Sequence, residues 1–118
     1  MKLCATNSKE RAITMRLPEN ESAISILIQY IDDNYFEPRK NWPPDIFEEH
    51  TYERAAANEI LQMLLDNPED LPSWIVQEYY DKVSYYWAIS EEGSRQEMVF
   101  SIAILVADDI LHNVICFT

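Results

Sequence analysis

Residues 94 to 117 constrain this chain more than any other stretch. From Met98 to Ala107 the sequence Met-Val-Phe-Ser-Ile-Ala-Ile-Leu-Val-Ala is apolar at every position but Ser101, in a protein of formal net charge -12. A run of that kind does not rest against water, so it predicts a helix covered by other helices or by a second copy of the chain. The 118 residues suffice for one domain with its own core, without metal or disulfide support. A hydrophobic content of 47% with 12% aromatics excludes a disordered chain. A single glycine argues against a sheet-rich fold, whose hairpin turns recruit glycine at positive φ.

Punctuation divides the chain into four helical stretches. Glu19 to Tyr35 places Ile24, Leu27, Ile28, Ile31 and Tyr35 at helical spacing, with Glu19 and Glu21 at the end that favours negative charge. Pro38, Pro43 and Pro44 forbid continuation and predict an extended connector anchored by Phe36 and Trp42. Asp45, three residues before Glu48, suggests a capping box for a second helix reaching about Asp66. Ala55, Ala56 and Ala57 give that helix strong propensity and a thin face for close approach. A third helix begins near Asp70 or Pro72 and ends at the cluster 91 to 94, with Gly93 as its expected left-handed cap. Ser94-Arg-Gln-Glu97 is a capping box for the fourth helix, which runs almost to the C-terminus. Short loops make neighbours antiparallel, so the predicted fold is an all-α, antiparallel four-helix bundle over residues 19–118, with the fourth helix most central. Residues 1–18 form a basic arm in this reading, with a possible short strand at 13–17.

Charge narrows the partners. Residues 1 to 16 carry Lys2, Lys9, Arg11 and Arg16 against Glu10, so +3, which leaves -15 for the rest of the -12 total. A body of that sign repels phosphate, which disfavours direct nucleic-acid binding and membrane surfaces and favours a basic protein partner. Acidity alone also serves solubility. Cys4 and Cys116 sit near opposite ends with no CxxC and no histidine cluster, so neither a zinc site nor a disulfide framework is expected. No apolar leader is visible at the N-terminus and the apolar runs look too short to span a bilayer, which predicts a cytoplasmic protein.

The third helix is the candidate interaction element. Trp74, Tyr79, Tyr80, Tyr85, Tyr86 and Trp87 fall within fourteen residues, and adjacent aromatics on one helix cannot all face inward. Trp74, Tyr79, Tyr80, Tyr85 and Tyr86, with the carboxylates Glu78, Asp81, Glu91 and Glu92, are therefore the candidate partner-binding residues. The competing reading is ordinary core packing with hydroxyls at the bundle edge. The fourth helix, in turn, predicts homodimerisation.

Catalytic constellations are thin. Asp109 and His112 have the i, i+3 spacing of carboxylate-bridged metal bundles, but that class needs a second such pair, and His50 with Glu53 has the reverse order. Glu78-Tyr-Tyr-Asp81 resembles the ExxD pair of MazG-type helical nucleotide pyrophosphohydrolases, whereas Asp45-Ile-Phe-Glu48 only loosely matches their ExxE pair. That resemblance implies a magnesium-dependent hydrolase as the alternative function, although one matching pair supplies too few oxygens. No Ser/His/Asp set or phosphate-binding loop is present. No catalytic residue, cofactor or metal site is expected.

Trp42-Pro43, Phe47, Thr51 to Ile60, Phe100-Ser-Ile-Ala and Ala107-Asp-Asp-Ile110 together resemble small, uncharacterised helical accessory proteins of Gram-positive mobile (conjugative) elements. The likeness covers most of residues 20 to 112 and rests on packing patterns, so it transfers no catalytic residues. It implies a context in which accessory proteins modulate host defence or element transfer. The function expected is a non-enzymatic acidic protein that binds a basic partner, in its sharpest form an anti-restriction or anti-CRISPR inhibitor or nucleic-acid mimic.

Overall fold

Three of the four helices begin at a proline. The computed structural model describes residues 18–115 and shows α1 (Pro18–Asn34), α2 (Pro44–Asp66), α3 (Pro72–Ile89) and α4 (Arg95–Ile110), the last continued by a π turn, Leu111–Ile115. Proline at the first helical position has its φ already set and lacks only an N–H that the helix would leave unpaired. Pro44, not Asp45, therefore opens α2: Pro43 is the N-cap residue, no side chain caps this end, and Asp45 lies in the first turn. The expected capping box of Asp45 and Glu48 is not made.

At the start of α4 the serine half of the box is made, and the glutamate reaches one residue further back than the N-cap. Ser94 Oγ accepts from the Glu97 N–H at 3.1 Å, and Glu97 Oε1 reaches back to the Gly93 N–H at 2.8 Å. Such a serine cap contributes about 1 kcal/mol. Gly93 has φ +81°, in a turn closed by the Ser94 N–H on the Glu91 carbonyl. It is not the cap of α3, which stops at Ile89 with Ser90 in extended conformation. Asparagine and serine finish the helices instead: Asn34, Asn67 and Ser90 each donate from the side chain to the carbonyl four residues earlier, on Tyr30, Met63 and Tyr86. A chain with one glycine thus satisfies orphan carbonyls by back-bonding.

The helices form the all-α bundle expected, with no strand among the described residues. The α4 helix packs most extensively on α3 and α2, while α2 and α3 touch each other far less than either touches α4. Leu27, Ala57, Ile60, Leu64, Val76, Ala107 and Ile110 are fully buried. Removing a side chain such as Ile60 would cost about 2–5 kcal/mol. Burial of α4 is one-sided, however. Ala103, Val106, Ala107 and Ile110 face the core, whereas Met98 is 38% and Leu105 67% exposed. The run is a core helix on one face and an open apolar stripe on another. Arg95–Ile115 is also continuous over 21 residues and contains an 18-residue window of mean hydropathy 1.8, so by length and composition alone it passes the test for a bilayer crossing, as core helices of soluble proteins also do, against the expectation that the apolar runs are too short.

The α1 helix covers only one half of the bundle. At its start Asn20 Nδ2 donates to the Asp70 carbonyl at 2.8 Å, and at its end the Tyr35 carbonyl accepts from Arg54 Nη1 at 2.5 Å. A clasp fixes it to the end of α4: Asp109 accepts from the hydroxyls of Tyr30, at 2.9 Å, and Tyr35, and from Asn113 Nδ2 at 2.7 Å. In the connector Phe36 is exposed and anchors nothing, whereas Trp42 lies against the His50 ring at 4.8 Å. Lys2, Cys4, Lys9, Arg11 and Arg16, the short strand at 13–17, Cys116 and Phe117 lie outside the described residues; Pro18, placed in the arm by sequence, belongs to α1.

Burial, then the hydrogen bond to Asp109, pushes the Tyr30 hydroxyl up to about 12, and the same causes raise Tyr35. A tyrosine whose proton is held more tightly in the folded chain lends stability that is complete below its ordinary value near 10 and disappears as pH climbs through the raised one. Thermal melting points should therefore be level to about pH 10 and fall between about 10 and 12. Tyr35→Phe should lower the neutral-pH melting point and make the alkaline fall shallower. An unchanged slope in the variant would count against the clasp.

Candidate functional site

The outer edge of α3 is where exposed aromatics and charge coincide. Positions 74, 78, 82, 85 and 89 follow one another at i, i+4, i+8, i+11 and i+15, which places them on one stripe of the helix. That stripe reads Trp74, Glu78, Lys82, Tyr85 and Ile89, and its three large apolar members are 66%, 62% and 63% exposed at Trp74, Tyr85 and Ile89 respectively. The opposite face of α3, carrying Ile75, Val76, Tyr79 and Val83, is buried. The helix therefore has two apolar faces, one filled by the bundle and one left open.

Beside the stripe runs a valley. Because α2 and α3 diverge over α4, an indentation of about 310 Å³ opens between them. Small side chains, Ala55, Ala56, Val83, Val99 and Ala103, line it together with the aromatics Tyr52, Tyr79, Tyr86 and Phe100 and the charged Glu59 and Lys82. Tyr86 closes one part by stacking on Phe100, with ring centroids 5.4 Å apart at 28°, and Tyr85 meets Tyr86 edge-on at 5.7 Å. Across the valley the second edge is α2, where Glu48, Tyr52, Ala55 and Glu59 recur at i, i+4, i+7 and i+11.

Charge at the edges is arranged in pairs that leave an acidic excess. Lys82 Nζ lies 3.7 Å from Glu59 and 5.4 Å from the centre of the Tyr79 ring. Glu59 also accepts from the Tyr79 hydroxyl at 3.1 Å, and burial followed by this carboxylate raises the Tyr79 hydroxyl well above its ordinary value. Arg95 pairs with Glu48 and donates to the Tyr52 hydroxyl at 2.8 Å, spanning α4 and α2. These pairs are solvent-exposed and contribute little stability individually. Glu78 is exposed on the stripe outside the valley lining, while the valley's own charges, Glu59 and Lys82, pair with each other.

The sequence-derived residues separate into three groups. Trp74, Glu78 and Tyr85 share the open stripe, and Tyr86 joins them through its ring contact. Asp81, Glu91 and Glu92 are exposed, Asp81 bonded to Gln77 and the two glutamates in the turn before α4. Tyr79 and Tyr80 do not belong to the surface: Tyr79 is 2% exposed in the core, and Tyr80 is half-buried against it, so neither ring is offered to a partner. Ala55 and Ala56 are legible in the sequence as a thin face for close approach, whereas Ile89 as a member of the stripe and the α2 edge are not. The period of the α3 stripe was readable, but the divergence of α2 from α3 is a tertiary fact.

The acidic pairs weighed as metal ligands have other duties or stand apart. Among the described residues no three His, Cys, Asp or Glu side chains gather into a group able to hold a metal ion, so Asp45, Glu48, Glu78 and Asp81 do not converge on a magnesium position. Asp109 serves the tyrosine clasp, and His112 Nδ1 sits 2.8 Å from the Asp108 carbonyl within the same turn. No family model, curated protein or solved structure matches this chain.

Proposed function

We propose that this protein is a non-enzymatic interaction module that binds a basic protein partner through the α2–α3 face. The observation that carries this reading is the exposure of Trp74, Tyr85 and Ile89 on one stripe of a helix whose other face already fills the core. Large aromatics left in water beside unpaired carboxylates are the side chains that dominate protein interfaces when a partner desolvates them. The acidic surround selects for a cationic partner and speeds its encounter.

A sharper form makes the chain a cytoplasmic inhibitor of a nucleic-acid-binding protein, as the likeness to accessory proteins of mobile elements suggests. Carboxylates occur on all four helices and in the connectors, which supports a generally acidic surface more than one phosphate-like row. The plain form, an aromatic face with acidic surroundings, is the one favoured. Among the described residues no donor group is assembled that would support the magnesium hydrolase alternative.

Immobilised protein should retain basic proteins from its native host and release them at about 1 M salt, where the Debye length falls to about 3 Å. Glu78→Lys combined with Trp74→Ala should abolish retention. Equal retention by that variant would contradict the reading. The uncharged outer stripe of α4 at Met98 and Leu105 is, in addition, the proposed contact with a second copy. Sedimentation at micromolar concentration should then show twice the 13.9 kDa chain mass, and a species of 13.9 kDa alone would remove the dimer.

A further inference from the structure

The valley between α2 and α3 is walled by rings. Tyr52 from α2, Tyr79 and Tyr86 from α3 and Phe100 from α4 line it, and the small side chains between them leave a space of about 310 Å³ open to solvent. That is twice the roughly 150 Å³ in which an apolar cavity holds one benzene ring, so the space accommodates two fused rings. The Tyr86 and Phe100 rings lie 5.4 Å apart at 28°, close to parallel. Walls of this kind favour a flat ring over a flexible aliphatic chain, because stacked and edge contacts add to the area buried and a rigid ring has no rotamers to lose.

Polar groups converge at one place in the wall. Glu59 Oε1 accepts from the Tyr79 hydroxyl at 3.1 Å, and Glu59 Oε2 lies 3.7 Å from Lys82 Nζ, which is itself 5.4 Å from the centre of the Tyr79 ring. The two charges cancel, so the lining selects neither a cation nor an anion. Both side chains are about half exposed, so their pairing adds little stability and opens readily. It offers a ligand an acceptor and a donor side by side. A ring N–H next to a ring carbonyl meets both at once, the N–H donating to Glu59 and the carbonyl accepting from Lys82.

We propose that the α2–α3 valley binds a small, uncharged, flat molecule of two fused rings with a lactam edge, held among the rings of Tyr52, Tyr86 and Phe100 and hydrogen-bonded to Glu59 and Lys82. This inference goes beyond the basic-partner reading and stands apart from it, since Trp74, Glu78, Tyr85 and Ile89 lie outside the lining.

The isotope-labelled full chain is titrated with carbostyril, a neutral bicyclic lactam, and followed by amide chemical shifts. Two controls accompany it: N-methylcarbostyril, which lacks the N–H, and ε-caprolactam, which keeps the lactam edge without an aromatic ring. Carbostyril should give saturable shifts around Val83, Tyr86, Val99 and Phe100 with a Kd of about 1 mM or tighter. N-methylcarbostyril should bind about fivefold more weakly, and ε-caprolactam about tenfold or more. Ala55→Trp, which fills the valley from an exposed helix position, should abolish the shifts. Lys82→Met, which keeps the stem and removes the donor, should weaken binding about fivefold, both variants with helicity by circular dichroism unchanged. Leu105→Ala, on α4's outer stripe, should bind as the parent does. Carbostyril binding that survives Ala55→Trp, or no saturable shift at all, would overturn the site. Equal affinity for ε-caprolactam would overturn recognition by the rings. Equal affinity for the N-methyl compound, or an undiminished affinity in Lys82→Met, would overturn the role of the Glu59 and Lys82 pair. Retention of basic proteins is read separately, with Trp74→Ala and Glu78→Lys, so either result can fail without the other.

Discussion

Everything in this fold follows from the need to cover α4. Its inward residues, Ala103, Val106, Ala107 and Ile110, are buried, and the helices that bury them are α2 and α3. The α2 and α3 helices, both seated on α4, touch each other far less than either touches α4, and the valley opens between them, partly closed by Tyr86 stacked on Phe100. Helix α1 then closes only the far half of the bundle, held there by Arg54 at its C-terminal end and by Asp109 through two tyrosine hydroxyls.

Electrostatics set the other half of the design. Of the basic residues in the described part, Arg54 is bound to a helix-end carbonyl and Lys82 and Arg95 to carboxylates, leaving Arg39 and Lys40 in the connector. Carboxylates outnumber these cations on all sides, and nearly all of them are solvated. Such a surface keeps the exposed tryptophan and tyrosines from becoming a general aggregation patch, because like-charged bodies repel before those rings meet. A cationic surface meets no such barrier. Solubility and selectivity therefore come from the same charges.

Much of this architecture was legible in the residues themselves, and the gaps have physical reasons. Helix count, order and the Ser94 cap follow from local signals that act within one turn. The start of α2 lies two residues ahead of an Asp45 cap because an Asp-x-x-Glu pattern and a proline compete for this end, and the proline's fixed φ decides it. Gly93 was assigned to the end of α3 when it serves the turn ahead of α4; both roles require positive φ, so the residue type alone does not separate them. Tyr79 and Tyr85 are the same residue type six positions apart, yet one is core and the other open. Six residues at about 100° each place them about 120° apart around α3, with Tyr79 on the side of Ile75, Val76 and Val83. Likewise the 67% exposure of Leu105 is not legible in a run that is apolar at every position but Ser101, since such a run marks no outer face.

Photo-crosslinking in cells of the native host tests the central claim most directly, with a benzophenone amino acid placed singly at Trp74, at Tyr85 and at Ile28, an exposed position on α1. The account predicts adducts to one basic protein from Trp74 and Tyr85 and none from Ile28. Adducts from Ile28 with none from either aromatic position would contradict it.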